Sequence, residues 1–180
     1  MEYKYGTAEK FPVPDQFCNL ITVAQALHWF NKELFFREVD RALKTNGRLA
    51  VFGYGMCSID VPHLDKSFKD YYLNILGSSK EPGQPGCHWD ISRPLVDSGL
   101  ANIEFPYKSV MRTWETVTKP TTLDDFIGYL SSFSAYEKIL QSKKDPLPDL
   151  QKSLKELGWD GEVNVTRPFF LIMTEKTGIC

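Results

Sequence analysis

The most extended apolar pattern of the chain lies between residues 15 and 53. Asp15 to Ala24 carries a nearly continuous run, Phe17-Cys-Asn-Leu-Ile-Thr-Val-Ala. Because this run lacks alternation of polar and apolar residues, it predicts a strand buried on both faces, which is typical of parallel sheets. Residues 48–53, Arg-Leu-Ala-Val-Phe-Gly, predict a second buried strand.

A helix is predicted between these two strands. Asn31 is a favourable N-cap, and Glu33 would lie in the first helical turn. One apolar stripe then follows at helical spacing, formed by Phe35, Val39, Ala42 and Leu43. The pair Asn46-Gly47 predicts the end of the helix, because these residues accept a left-handed backbone at low cost. Strand, helix and strand together predict a βαβ unit with a parallel strand pair.

Further elements are predicted around this unit. Residues 2–5 predict a short strand, and Phe11-Pro-Val-Pro predicts a loop because proline interrupts a ladder of hydrogen bonds. Residues 54–88 predict an irregular region with a short helix near 67–76, followed by a helix at 90–98 that ends at Gly99 and a strand at 101–105. A long helix is predicted from a Thr122–Asp125 capping box through Phe133. The last two predicted elements are a helix at 147–157 that ends at Gly158 and a buried strand at 163–174. This order predicts an α/β domain with an antiparallel strand at the edge of its sheet.

Composition narrows the class of protein. The chain has 180 residues, of which 42% are hydrophobic and 24% charged, so we expect one soluble globular domain. The net charge is −2, and positive and negative residues are interspersed along the chain, which disfavours nucleic acid as a partner. No apolar run is long enough to cross a bilayer. The N-terminus has no apolar signal segment, and the cysteines (Cys18, Cys57, Cys87 and Cys180) follow no disulfide framework. We therefore expect a cytoplasmic protein with reduced thiols.

Several segments together resemble one family. They are Gly6-Thr-Ala-Glu-x-Phe-Pro, Leu20-Ile-Thr-Val-Ala-Gln-Ala-Leu-His-Trp-Phe, Leu43-Lys-Thr-Asn-Gly-Arg-Leu, Tyr129-Leu-Ser-Ser-Phe-Ser-Ala-Tyr and Val165-Thr-Arg-Pro-Phe-Phe-Leu-Ile. In this order they resemble class I S-adenosylmethionine-dependent methyltransferases, specifically the small-molecule branch with trans-aconitate and juvenile-hormone-acid methyltransferases. The resemblance spans nearly the whole chain.

The resemblance implies a Rossmann-like, three-layer fold with strand order 3-2-1-4-5-7-6. On that scheme the third to seventh strands would be Tyr3–Tyr5, Asn19–Ala24, Leu49–Gly53, Ala101–Phe105 and Phe169–Thr174, the last of them antiparallel. The first two strands of the family have no counterpart in this sequence. The Gly-rich turn and the acidic residue that bind the cofactor belong to those strands, so they have no counterpart either. Residues 1–180 would thus be the C-terminal portion of a methyltransferase domain, truncated, with a variable acceptor-side region at 54–100. We expect methyl transfer by this chain to be impaired.

The resemblance also implies which residues bind S-adenosylmethionine. Thr7, Ala8 and Glu9 would lie along the adenine, with the Ala8 N–H on a ring nitrogen. Gln25 and Ala26 would lie beside the methionine portion, at the carboxyl end of a strand where open α/β sheets bind their ligands. Trp29 could contact the sulfonium through cation–π attraction. The alternative is that Trp29 and Phe30 pack under the following helix.

Acceptor binding is expected from aromatic residues with a polar tip. No catalytic residue is assigned, because a carboxylate acceptor is already ionised at neutral pH and needs no general base. His28 would either bind a substrate oxygen or donate to a backbone carbonyl. The other candidates for the acceptor site are Tyr54, Trp89, Trp114, Tyr129 and Tyr136. Arg112 could pair with an acceptor carboxylate or be a solvated surface arginine.

Two alternatives to an enzyme remain at this point. The chain could be a non-catalytic remnant that pairs through the uncovered edge of its sheet, with itself or with a partner, since flat uncovered edges self-associate. Cys57, His63, Cys87 and His88 could also bind zinc, although their spacing matches no compact tetrahedral site.

Overall fold

The computed structural model of the protein describes residues 2–107, 109–141 and 144–176. The chain divides into two compact units. The first comprises Met1–Tyr54, Gly99–Glu115 and Phe169–Cys180, and the second comprises Gly55–Ser98 and Thr116–Pro168. The sequence predicted one domain, and each unit is described by itself below.

The first unit is built on the predicted βαβ motif, which is confirmed. Strand β1 (Cys18–Ala24) and strand β2 (Leu43–Tyr54) are parallel, and helix α1 (Lys32–Ala42) connects them. The helix begins as predicted, because the Asn31 side chain accepts a hydrogen bond from the Leu34 N–H at 3.2 Å. The local signals of capping and apolar spacing were therefore sufficient for this motif.

The predicted end of α1 is wrong. The helix ends at Ala42, and Leu43 is already extended in β2. Asn46 has the predicted positive φ, 63°, but it lies inside β2. Its N–H donates to the Lys176 carbonyl, and the Lys176 N–H donates to the Gly47 carbonyl. These contacts with a distant part of the sequence draw the segment into the sheet, and the sequence around Asn46 carries no sign of them.

Strand β1 is not buried on both faces, which corrects the expectation from its apolar run. Val23 is 5% exposed, whereas Leu20, on the opposite face, is 55% exposed. On the same open face of the sheet, Phe52 of β2 is 42% exposed. In the strand order β1–β2–β5–β3, β1 occupies the end of the described sheet, so one of its edges carries unpaired backbone groups.

Two predicted strands are wrong. Residues 2–5 form no strand in the described structure, and Tyr5 is fully exposed, because no neighbouring strand pairs with this segment. Residues 101–105 form turns and irregular chain. The strand of this region is instead β4 (Val110–Thr122), which pairs with β5 (Glu162–Glu175). In the first unit β5 runs antiparallel to β2, and it lies inside the strand order, not at an edge.

The second unit contains most of the helices. They are α2 (Pro62–Asp70), which continues into a π-helical turn (Tyr71–Ile75), α3 (Arg93–Asp97), α4 (Leu123–Ser131), α5 (Ser134–Leu140) and α6 (Leu147–Glu156). The short strand β3 (Ser58–Ile59) pairs antiparallel with Val165 and Thr166 of β5. The predicted capping box is confirmed, since Thr122 accepts from the Asp125 N–H at 3.2 Å. The predicted long helix is interrupted between Ser131 and Ser134.

The core of the second unit is formed by buried aromatic and aliphatic residues of these helices and of the segments between them. It includes Phe68, Tyr72, Trp89, Phe126 and Trp159. Aromatic pairs such as Phe68 and Phe126, with ring centroids 5.2 Å apart at 78°, take the edge-to-face arrangement that their quadrupoles favour. None of the helices in the described part of the chain has the length and apolar character that a membrane crossing requires.

Candidate functional site

A cleft of about 290 Å³ lies beside β1 in the first unit. It is lined by Ala8, Phe11, Ile21, Thr22, Val23, Ala24, Ala26, Phe30 and Phe35. Two of the predicted cofactor contacts, Ala8 and Ala26, therefore face the same space although 18 positions separate them. The cleft lies at the carboxyl end of a parallel strand, where ligands of open α/β sheets bind.

One wall of the cleft is the segment around Ala8, and α1 holds it in place. The Phe11 N–H donates to Glu38 Oε1 at 2.6 Å, and the Phe11 ring lies edge-on to Phe35. Arg41 binds both Glu38 and Asp15 at 2.6 Å. The Arg41 guanidinium and the Phe11 N–H together lower the pKa of Glu38, against the opposing effect of burial. A partly buried ionic contact thus fixes the segment that carries Ala8.

Glu9 and Thr7 lie on either side of Ala8. The Glu9 carboxylate accepts a hydrogen bond from the Asn31 N–H at 3.1 Å. It therefore provides an acceptor for a backbone N–H at the N-terminus of α1, where the helix itself offers none. Thr7 lines a separate shallow pocket with Lys10 and Pro12, and its carbonyl accepts from the Lys10 N–H. Their contacts with a cofactor stay predictions.

Gln25 follows β1 directly and has a positive φ of 48°. Its side-chain amide donates to the Tyr54 carbonyl at 3.1 Å and accepts from the Tyr54 N–H at 2.9 Å. A Cβ at Gly53 would lie 2.0 Å from Gln25 Oε1, so this clamp needs glycine there. The amide is therefore engaged in joining the ends of β1 and β2, and the predicted contact of Gln25 with the cofactor stays a prediction.

His28 and Trp29 lie in a short 3-10 helix, Leu27–Trp29. Trp29 is 55% exposed, so the interpretation that it packs under α1 is wrong. Phe30 does pack there, with its ring centroid 5.1 Å from that of Phe35. The His28 and Trp29 rings are 5.4 Å apart and form one partly exposed aromatic pair next to the residues of the cleft.

Two acceptor candidates lie on the sheet of the first unit. Tyr54 packs edge-on against Phe169, with centroids 6.0 Å apart. Trp114 packs against Phe170 and covers Gly99, where a Cβ would lie 2.4 Å from the indole. Both residues have structural neighbours in this unit, and their role in binding an acceptor stays a prediction.

Arg112 is exposed, as the surface interpretation of this residue expected, and its guanidinium also bonds the main chain. Its guanidinium donates to the carbonyls of Leu100 and Ile103 at 3.2 and 2.9 Å, and it lies over the Phe105 ring. These bonds satisfy the backbone carbonyls of the irregular segment 99–105. Pairing of Arg112 with an acceptor carboxylate stays a prediction.

The second unit contains Trp89, Tyr129 and Tyr136. Phe133 brings the first two together, because its ring lies 5.6 Å from Trp89 and 5.0 Å from Tyr129. Trp89 is buried and donates to the Ser78 hydroxyl at 2.7 Å. Tyr136 is buried in the same hydrophobic core, and burial with the neighbouring Asp145 raises its pKa. Trp89 and Tyr129 are thus linked through the ring of Phe133, and all three acceptor candidates of this unit lie in or against its core.

Two arginines beside this cluster were not singled out from sequence. The Arg93 guanidinium lies 4.7 Å from the Trp89 ring and binds Asp97 at 2.6 Å. Arg167 of β5 lies 4.6 Å from the Tyr129 ring. An available signal for Arg167 was its position inside the apolar final strand, Val165-Thr-Arg-Pro-Phe-Phe, where a charge requires a reason.

The zinc hypothesis finds no support in the described residues. They contain no group of three or more His, Cys, Asp or Glu side chains suited to a metal ion. His63 bonds the Leu157 carbonyl at 3.0 Å, and the Cys87 thiol donates weakly to backbone carbonyls. Cys18, Cys57 and Cys87 are free thiols, while Cys180 lies outside the described residues.

Comparison with known proteins gives the family context. Residues 1–51 match the family described as methyltransferase domain. Nearly the whole chain, 98%, is 30% identical to a protein of Dictyostelium discoideum that is named as a methyltransferase, of which it covers 66%. A methyltransferase-like protein of Schizosaccharomyces pombe is 24% identical over 81% of the chain, which covers 52% of that protein. The chain thus spans between half and two thirds of the length of these relatives.

A solved structure supports the fold. The structure of a protein described as a type II methyltransferase from Anaeromyxobacter dehalogenans superimposes on 99% of the chain with a TM-score of 0.77, at 22% identity, and the chain covers 73% of it. The protein therefore shares the mixed α/β fold of that structure, and its first 51 residues match the methyltransferase domain family.

Proposed function

We propose that this protein serves S-adenosylmethionine-dependent methyl transfer to a small molecule, and that the acceptor group is a carboxylate. The observation that supports the proposal is the cleft lined by Ala8 and Ala26, in a segment of the chain that matches the methyltransferase domain family. The apolar residues of the cleft suit the adenosyl part of the cofactor, and its position at the end of β1 suits a nucleotide ligand.

Methyl transfer from S-adenosylmethionine to a carboxylate requires few ionisable groups of the protein. The methyl group of a sulfonium is transferred by in-line displacement, so the protein mainly positions the reactants and excludes water. In the proposed arrangement Ala8 donates its N–H to the adenine, and the exposed ring of Trp29 attracts the sulfonium through its π face. His28 beside Trp29 is proposed to bind the acceptor oxygen. A carboxylate nucleophile would need no base, which agrees with assigning no catalytic residue.

The proposal includes only half of a cofactor site. The free edge of β1 is the place where a further parallel strand with a Gly-rich turn would complete the site, and we propose that this strand is not among these 180 residues. The protein would then represent the C-terminal portion of a methyltransferase domain, with weak transfer activity of its own. The free cysteines favour a cytoplasmic location.

Calorimetry with S-adenosylmethionine and S-adenosylhomocysteine tests the proposal directly. We expect binding in the millimolar range, because half of the contacts are present. Ala26→Phe would fill the cleft and abolish binding, whereas Val117→Phe, at a position 54% exposed in β4, would leave it unchanged. If the folded wild-type chain shows no heat of binding at millimolar cofactor, this chain has no cofactor site.

A second candidate function is interaction without catalysis. We propose it as the alternative because β1 carries no charged residue and no proline to protect its open edge, and because Leu20 and Phe52 are exposed beside it. In this case the chain would associate with itself or with a partner through β1. Light scattering should then show oligomers in the wild type and monomers in Leu20→Lys; a monodisperse wild-type monomer would exclude self-association.

A further inference from the structure

The arginines of this chain differ in how their charge is satisfied. All but one bind an acidic side chain or a set of backbone carbonyls: Arg37 binds Glu33, Arg41 binds Glu38 and Asp15, Arg48 binds Glu175, Arg93 binds Asp97, and Arg112 binds carbonyls of residues 99–103. Arg167 is the exception. Within the described residues its guanidinium makes no hydrogen bond or ion pair with another group of the protein.

Arg167 is not simply a solvated surface arginine. It is half-buried, and its guanidinium carbon lies 4.6 Å from the centroid of the Tyr129 ring. A guanidinium has five N–H donors in one plane, and contact with an aromatic face satisfies none of them. Because partial burial of an unpaired charge costs free energy, the position is explained best if an external group accepts these hydrogen bonds.

The charge of Arg167 is also not neutralised by the acids nearby. Its positive charge acts on the buried Cys57 thiol, in opposition to Asp65 and Asp97, which also act on that thiol. Each of these two carboxylates has a partner of its own, since Lys69 lies 2.6 Å from Asp65 and Arg93 lies 2.6 Å from Asp97. Neither carboxylate therefore depends on Arg167 as its counter-ion.

Aromatic side chains extend from this guanidinium. The Tyr129 ring lies under Arg167, Phe133 lies edge-on to Tyr129 at 82°, and Trp89 follows at 5.6 Å from Phe133. A cation at one end of a series of aromatic rings suits a ligand with an anionic head and an apolar or aromatic body.

We propose that Arg167 binds the carboxylate of a small organic acid, with Tyr129 stacked against the guanidinium and Phe133 in contact with the body of the ligand. The planar fork of arginine matches the two oxygens of a carboxylate, which a lysine would bind only as a point charge. The inference goes beyond the proposed function: this carboxylate site belongs to the second unit by itself, and it does not require the cofactor to be bound.

Binding of simple probes to the full chain tests this inference. The probes are 3-phenylpropionate, its neutral amide 3-phenylpropionamide, and phenyl phosphate, followed by calorimetry or NMR titration. We expect the wild type to bind 3-phenylpropionate in the millimolar range and more tightly than the amide. Arg167→Gln should weaken binding of the acid by about tenfold, the effect of losing a hydrogen bond to a charged group, and leave the amide unaffected.

Two further variants make the outcome decisive. Arg167→Lys keeps the charge without the fork and should bind the acid with intermediate affinity. Arg37→Gln, at an exposed ion pair on α1, is the matched control and should bind as the wild type does. Circular dichroism establishes that each variant is folded. If Arg167→Gln does not fold, a drop in affinity for Arg167→Lys still supports the inference, and unchanged affinity overturns it.

The inference is overturned if folded wild type does not bind the acid, if acid and amide bind equally, or if Arg167→Gln binds as the wild type does. Tighter binding of phenyl phosphate than of the carboxylate overturns the assignment to an organic acid. Calorimetry with S-adenosylhomocysteine separates the two proposals. A chain that binds the acid through Arg167 but binds no cofactor supports the arginine site and refutes cofactor binding by this chain.

Discussion

The side-chain amide of Gln25 forms two hydrogen bonds with the main chain of Tyr54. Nε2 donates to the carbonyl at 3.1 Å, and Oε1 accepts from the N–H at 2.9 Å. Gln25 follows β1 and Tyr54 ends β2, so one side chain joins the two strands where the candidate cleft opens. The clamp replaces the next rung of backbone hydrogen bonds in this parallel pair.

Removing this amide should destabilise the protein. Gln25→Ala leaves a half-buried N–H and carbonyl without their partner, which costs about 1–3 kcal/mol. Urea unfolding followed by circular dichroism measures the loss. Gln151→Ala is the matched control, because Gln151 donates a single exposed hydrogen bond to Asp124 and its loss should cost less than about 0.5 kcal/mol. Equal stabilities of the two variants would contradict the structural role of Gln25.

The backbone of Gln25 gives an independent prediction. Its φ is 48°, in a region where a side chain costs roughly 1 kcal/mol and glycine costs nothing. Gln25→Gly and Gln25→Ala both lose the amide clamp, but only the glycine variant loses the strain. Gln25→Gly should therefore unfold at higher urea concentration than Gln25→Ala, contrary to the order that holds at ordinary strand and helix positions. The reverse order would show that the positive φ is relaxed in solution.

The βαβ unit could be predicted from sequence because its determinants are local. The Asn31 cap, the apolar stripe of α1 and the apolar run of β1 all lie within a few residues of the element they define. Strand β4 was missed for the opposite reason. Its residues are mostly exposed, so its sequence shows no hydrophobic alternation, although Thr, which favours strands, is frequent in it.

The strand predicted at 101–105 failed because of a contact that sequence does not show. The Arg112 guanidinium donates hydrogen bonds to the carbonyls of Leu100 and Ile103, which in a strand would accept from the N–H groups of a neighbouring strand. The cluster of Arg167, Tyr129 and Trp89 is likewise non-local, since it joins the last strand to residues far earlier in the chain. Individual candidates could be named from their residue type, but their grouping depended on the fold.

The ionic contact between Glu38 and Arg41 predicts a dependence of stability on pH. Arg41 and the Phe11 N–H stabilise the carboxylate, so the pKa of Glu38 in the folded protein lies below its usual value of 4.5. The stabilisation is complete above the unfolded-state pKa and is lost as the pH falls through the folded-state pKa. The free energy of unfolding should therefore decrease below about pH 4.5 in the wild type, and less steeply in Glu38→Gln.

Chemical unfolding at several pH values between roughly 3 and 7 measures this dependence. Glu33→Gln is the control, because Glu33 forms an exposed pair with Arg37 on the same helix, and such pairs contribute little. Its stability should follow the wild-type curve. Parallel curves for wild type and Glu38→Gln would mean that Glu38 titrates as in the unfolded chain.

The Cys57 thiol should resist alkylation in the folded protein. It is 1% exposed, and burial raises its pKa to about 11, with a smaller opposing effect of Arg167. The thiolate is the reactive form, so iodoacetamide at pH 8 should modify Cys57 far more slowly than the half-buried Cys87. Peptide mapping by mass spectrometry measures both rates, and unfolding in urea should make them similar. Equal rates in the folded state would show that the second unit opens readily around Cys57.

Two adjacent tyrosines of the second unit predict opposite effects of the same substitution. The Tyr72 hydroxyl accepts from Arg93 Nε at 2.7 Å and donates to Asp97 at 2.8 Å, whereas the buried Tyr71 hydroxyl has no hydrogen-bond partner in the described residues. Tyr72→Phe should lower the free energy of unfolding by about 1–3 kcal/mol, because it removes hydrogen bonds to two partly buried charged groups, Arg93 and Asp97.

Tyr71→Phe is the control for that measurement, and it removes a hydroxyl whose desolvation is not compensated. Its free energy of unfolding should be unchanged or raised by as much as about 1 kcal/mol. Both variants keep the aromatic ring, so packing in the core is preserved and only the hydroxyl is tested. Urea unfolding of the two variants side by side gives the comparison. A Tyr71→Phe variant as unstable as Tyr72→Phe would mean that the Tyr71 hydroxyl is bound in solution, for example by an ordered water, and that the two sites are energetically alike.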